Sequence, residues 1–152
     1  MIHPASGVTL RAMGFLGGLF GSKATKKGNA LDALKERSDE EPGDARLAQD
    51  VSNQLKAAGD VFEAQIYARR AAQAHLTAGF ATKALAVLKG AATWGEPTTD
   101  LLQELADVLL ELKHKEDARG TLIQLRRLHA SAGNKTELGK IDAQLQELGP
   151  GR

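Results

Sequence analysis

Residues 49–79, QDVSNQLKAAGDVFEAQIYARRAAQAHLTAG, return in altered form as residues 103–133, QELADVLLELKHKEDARGTLIQLRRLHASAG, at a shift of 54 residues. Gln49 falls on Gln103, Leu55 on Leu109, Ala64 on Ala118, His75 on His129, and Ala78-Gly79 on Ala132-Gly133. Asp50 and Glu104, Val51 and Leu105, and Glu63 and Asp117 keep chemical type. The repeat runs from Ala48 to Leu145, and each unit is long enough for three helices. A helical unit of this size cannot bury its apolar side alone. Stacking on a neighbour makes a continuous core and an extended surface rather than a catalytic pocket. The chain therefore reads as all-α, an antiparallel helix-hairpin array of two three-helix units repeating at 54 residues.

Working along the repeat, Asp44 caps a helix over Ala45–Ala58 whose stripe is Ala48, Val51, Leu55 and Ala58. Gly59 stops it, and Asp60 caps the next, Val61–Ala78. That second helix carries Phe62, Ala64, Ile66, Tyr67, Ala68, Ala71, Ala72, His75 and Leu76. It is apolar over much of its circumference and should lie between neighbours. A third helix covers Ala81–Ala92, with Ala84, Leu85, Val87, Leu88 and Ala91. Trp94-Gly95-Glu96-Pro97 forces a boundary, because the residue before proline avoids helix. Three more helices follow, over Asp100–Lys113, Lys115–Ser131 and Thr136–Leu148.

Ala84 to Ala118 is 34 residues, the tetratricopeptide (TPR) period. Gly79 precedes Ala84 by five residues and Lys113 precedes Ala118 by five, with Leu88, Ala91, Leu122 and Leu125 behind them. Leu105-Ala106 and Leu109 sit where that repeat keeps a large-small pair and a further contact, and Gly59-Asp60…Glu63-Ala64 repeats the turn. Residues 45–148 thus resemble a degenerate TPR-like array, which implies a right-handed superhelix that scaffolds proteins and performs no chemistry. The turns at Gly59, Gly79, Lys113 and Gly133 are spaced 20, 34 and 20, so each long helix serves two hairpins. Ala68 stands in a usual aromatic slot, and the Lys/Asn clamp of chaperone-tail binders is not reproduced. The three-helix unit is also similar to TPR segments of delta-proteobacterial (myxobacterial-type) regulatory and polarity proteins.

Residues 1–43 form a separate region, read as a flexible tail ahead of a repeat domain over 44–149. Met13 suits a natural start. Phe15, Leu16, Leu19 and Phe20 fall on one side of a helix, and Lys23, Lys26 and Lys27 follow. Four glycines in the same window oppose a free helix by about 1 kcal/mol each. Three readings fit this segment: a weak membrane-surface contact through residues 14–27, docking in a partner's groove, or folding back onto its own domain. Residues 30–37 could make two helical turns before the break at Pro42-Gly43.

The chain carries 20 basic and 19 acidic residues, and residues 44–152 are balanced at 14 of each. That balance argues against nucleic acid, which needs a basic face. With no cysteine, disulfides and thiolate sites are excluded. No phosphate loop, nucleophile elbow or zinc-protease helix occurs, so no catalytic residue, cofactor or metal is expected. His75 and His129 lack further ligands at helical spacing and read as packing histidines. The expected function is a bacterial, cytoplasmic, non-enzymatic adaptor for a protein partner, with a membrane-surface protein tethered at the inner membrane by residues 13–27 as the alternative. Asn53, Arg70, Gln73 and Arg127 are candidates to line its groove, against plain solvated faces, and Phe80 and Trp94 are candidate anchors. Trp94 reads first as a plug between the units, covering the wide loop, and only second as an anchor. Homo-oligomerisation, by one array capping another, stays open.

Overall fold

The computed structural model describes residues 30–150. Its helices are α1 (residues 30–40), α2 (Ala45–Ala57), α3 (Val61–Thr77), α4 (Ala81–Ala91), α5 (Thr99–Glu111), α6 (Lys115–Ala132) and α7 (Lys135–Leu148). The starts of α2, α3 and α5 follow from side-chain caps. Asp44 accepts from the Leu47 N–H at 3.0 Å, Asp60 from the Glu63 N–H at 3.1 Å, and Thr98 from the Leu101 N–H at 3.2 Å.

Four of the connections are the same tight turn. After α2, the Asp60 N–H reaches back to the Leu55 carbonyl and the Gly59 N–H to Lys56. Phe80 and Gly79 repeat this after α3, His114 and Lys113 after α5, and Asn134 and Gly133 after α6. This is the Schellman closure, which needs one residue in left-handed backbone. Glycine fills that place three times, with φ from 74° to 88°, while Lys113 fills it at φ 67°. A side chain there is disfavoured by the contact of Cβ with the following carbonyl. Lys113→Gly is therefore expected to raise unfolding stability by roughly 1 kcal/mol, read by urea denaturation. A destabilised variant would show that the lysine makes contacts outweighing its backbone strain.

Consecutive helices pack antiparallel, and α3 also touches α5 across α4. Ion pairs fix the direction of these next-but-one neighbours. Lys35 meets Glu63 and Asp39 meets Arg70, so α1 and α3 run the same way. Arg69 meets Asp100 and Glu104, and further along Gln73 and Leu76 share a hollow with Asp107, Val108 and Glu111, so α5 runs with them. The result is two layers: α1, α3 and α5 in front, α2, α4 and α6 behind. Helix α7 closes the end antiparallel on α6, held by Arg126 to Asp142 at 2.6 Å and by Arg119 to the Leu148 carbonyl at 3.2 Å.

The core is three clusters in series. Val51, Leu55, Ala64 and Tyr67 join α2 to α3, with Leu31 and Leu34 of α1 packed on them. Ala68, Ala72, Leu85, Leu88, Leu101, Leu105 and Leu109 are part of the middle cluster, across α3, α4 and α5. Leu102, Ala106, Leu122, Leu125 and Ile141 join α5, α6 and α7. The buried alanines of α3 let helices approach on both sides, so its apolar circumference is used as the sequence suggests.

Two features differ from the sequence reading. Phe62, counted among the apolar residues of the second helix, is 66% exposed. It sits two positions before Ala64, about 200° round a helix of 3.6 residues per turn, and so points away from the buried stripe. Residues 30–40, placed with the tail before a division at 43, are a helix of the array: α1 packs Leu31 and Leu34 into the core. The apolar-basic segment 13–27 lies outside the described residues.

Candidate functional site

The front layer carries a cleft because α3 and α5 stand side by side with their outward faces unfilled. Two adjoining hollows lie along it, and a third beside them is walled by the α1–α2 turn and α3, without α5. One of about 290 Å³ is lined by Ile66, Arg69, Arg70, Gln73 and Glu104. A second, about 480 Å³, is bounded by Leu76, Val108 and Leu110 with Glu104, Asp107 and Glu111. The third, about 410 Å³, lies between Pro42-Gly43 and Ala74, Thr77 and Ala78. Gln73 lines all three, which makes it the centre of the groove.

Charge along the groove is ordered. At one end, the Arg69 guanidinium donates to Glu104 through Nε at 3.1 Å and Nη2 at 2.8 Å. Beside it, Arg70 pairs with Asp39 and lies over the Tyr67 ring at 4.6 Å, while the Tyr67 hydroxyl donates to Asp39 at 3.0 Å. The Arg70 hydrogen bond holds the Asp39 carboxyl below its ordinary range. Burial, and then the hydrogen bond to Asp39, push the Tyr67 phenol up. These contacts clamp α1 to α3 and fix the groove wall. Further along, neither Asp107 nor Glu111 joins a salt bridge among the described residues. Asp107 stands exposed at the rim, yet lost solvation pushes its carboxyl up, opposed by a 3.0 Å hydrogen bond from Gln103. The groove thus offers apolar walls, a central amide, paired arginines at one end and bare carboxylates at the other.

Of the residues singled out in the sequence, Arg70 and Gln73 line this groove and the other four do not. Asn53 is exposed on α2, in the back layer, accepting from Gln49 at 3.3 Å. Arg127 is exposed on α6, also in the back layer. Phe80 is 51% exposed at the start of α4, with the Lys83 ammonium 4.7 Å from its ring centre. Trp94 is half-buried and packs against both the first and the middle core clusters, beneath the Lys56 ammonium at 4.9 Å. Its loop is pinned by Gln65, whose amide donates to the carbonyls of Ala91 at 3.4 Å and Glu96 at 3.3 Å. His129 is buried, with its Nδ1 accepting from the Asn134 amide at 3.0 Å, and His75 is half-buried on α3. Among the described residues, no group of three or more His, Asp or Glu is placed to hold a metal ion.

Sequence reasoning missed Glu104, Asp107 and Glu111. Their i, i+3, i+7 spacing puts them on one face of α5, opposite its leucine stripe, which marks a shared surface. That this surface faces α3 depends on packing across two helices.

Geometry defines the class: an antiparallel helix-hairpin array in two layers, as the TPR resemblance implies. No protein-family model matches the chain, and no curated protein matches it in sequence. Among solved structures, the chain is similar to YrrB, described as a TPR protein with an unusual peptide-binding site. The match is 18% identical, covers 79% of this chain and 76% of that one, and has a TM-score of 0.39. At that identity and score the similarity says nothing about function, and the architecture rests on the helix contacts themselves. No helix among the described residues is long and apolar enough to cross a membrane.

Proposed function

We propose that this chain is a non-enzymatic protein–protein interaction adaptor that receives a partner segment in the groove between α3 and α5. The observation that carries this reading is the run of adjoining hollows centred on Gln73, walled by side chains held in fixed ion pairs. A pre-ordered surface spends little of its interaction energy on ordering itself, so a few contacts suffice for affinity. The TPR-like pattern read from residues 45–148 fits a scaffolding role.

Gln73 is exposed and away from the core, so Gln73→Trp fills the groove without disturbing the fold. The variant is expected to weaken capture of the partner from native lysate by about tenfold, a change of about 1.4 kcal/mol. Asn53→Ala and Arg127→Ala, in the back layer, should leave capture unchanged. If Gln73→Trp captures the same partner as fully as the unaltered chain, the groove is not the recognition surface. The membrane-tether alternative is favoured by the run of Phe15, Leu16, Leu19 and Phe20 ahead of Lys23, Lys26 and Lys27. It predicts that membrane association survives Gln73→Trp and is lost with Phe15→Ser and Phe20→Ser together.

A further inference from the structure

We infer that residues 13–27 of this same chain are an occupant of the α3–α5 groove, docking in cis and competing with the partner. The inference rests on the groove reading above and adds its regulation. Charge is the first ground. Residues 1–29 hold four basic side chains and no acid, whereas residues 30–152 hold 16 basic against 19 acidic. The groove rim carries Asp100, Glu104, Asp107 and Glu111; Arg69 pairs with the first two and Arg70 with Asp39, which leaves Asp107 and Glu111 as surplus negative charge.

Apolar match is the second ground. Leu76, Val108 and Leu110 line one hollow, and the spacing of Phe15, Leu16, Leu19 and Phe20 would put four apolar side chains on one side of a helix. Segments of this kind dock an amphipathic face into such grooves, and charges at the rim set their direction.

Reach is the third. The described chain begins at residue 30 on α1, in the same layer as the groove walls. Since α1 runs with α3, and Lys35 lies level with Glu63, residue 30 stands near the end of the groove where α3 and α5 start. A chain turning back there meets Asp100 and Glu104 first and Leu76, Val108 and Leu110 last. That order places Lys23, Lys26 and Lys27 toward Asp100 and Glu104, the carboxylates that Arg69 pairs, and the aromatics toward Leu76, Val108 and Leu110, beside Asp107 and Glu111. The 15 residues of 13–27 span about 22 Å as a helix and about 50 Å extended, against about 15 Å from Ile66 to Leu76 along α3.

The chain has no cysteine, so Ala24→Cys offers a unique attachment point for a nitroxide on the full-length protein. In dilute isotope-labelled protein, the nitroxide is expected to broaden the amides of Gln73, Leu76, Val108 and Leu110 selectively. Asp100→Lys, at an exposed carboxylate of the end that the lysines reach, or Phe20→Ser should remove most of that broadening. Salt near 1 M, where the screening length falls to about 3 Å, should weaken it. If docking holds nine-tenths of the molecules, Phe20→Ser also raises apparent partner affinity by about tenfold. The inference is overturned by broadening that is absent or mapped to other helices. It is overturned too if broadening appears only between a nitroxide-bearing chain and a separate isotope-labelled chain, which would make a second copy the occupant. Tail signals that respond to phosphatidylglycerol vesicles, with no groove broadening before their addition, would assign the segment to membranes instead. Partner capture sensitive to Gln73→Trp without groove broadening removes only the cis docking. Broadening with capture indifferent to Gln73→Trp removes only the adaptor reading.

Discussion

Leu88→Ala should lower the stability of the array by about 3–4 kcal/mol, a large share of the roughly 5–15 kcal/mol that holds a domain of this size. Leu88 is completely buried on α4 in the cluster that joins α3 to α5. Truncating it removes the transfer energy of the side chain and leaves a void that cannot readily collapse. Its neighbours Ala84 and Ala91 are small and already fully buried, so nothing nearby is long enough to fill the space. Urea unfolding followed by circular dichroism reads the loss directly. A loss below about 1 kcal/mol would mean that α4 relaxes into the void, and that the middle cluster is softer than its burial indicates.

Trp94→Ala is expected to cost about 2–3 kcal/mol, below the full core value because the ring is only half-buried. Its second effect should be on cooperativity. Of the consecutive pairs from α2 to α7, α4 and α5 share the least contact, and Trp94 sits in the loop between them. The ring touches both the first and the middle clusters, so it ties the opening helices to the rest at a thin place. Arrays stabilised mainly by neighbour contacts lose all-or-none unfolding when one interface weakens. The calorimetric and van't Hoff enthalpies of the variant should therefore diverge, while the parent unfolds in one step. A variant that keeps its stability but loses partner capture would instead make Trp94 a contact residue.

Helix positions were legible because their punctuation is chemical. Asp44, Asp60 and Thr98 mark starts through their side-chain oxygens, and Gly59, Gly79 and Gly133 mark ends through backbone freedom. Lys113 was found only by its register in the repeat, since no lysine announces left-handed backbone. Arg70 and Gln73 could be placed on the groove by analogy with a hairpin helix. Asn53 and Arg127 could not be excluded from it, because a polar residue on one helix looks the same whichever layer that helix joins. The carboxylates of α5 share one face of their helix, but nothing local marks that face as a groove wall. The deciding contact, α3 against α5, spans a whole intervening helix and leaves no local periodicity to read.

The layering also bears on ancestry. A three-helix unit copied into a structure that alternates front and back is inverted at each copy. Helix α2, in the back layer, has α5 in the front as its counterpart, and front helix α3 has α6 behind. A duplication of this kind preserves what a helix needs in either place, such as Leu55 and Leu109 or the Ala78-Gly79 and Ala132-Gly133 turns. It cannot preserve a binding face, since the second copy turns that face to the other side of the protein. The array accordingly gains length by doubling without gaining a second identical groove, and the two halves are released to specialise from the moment they arise.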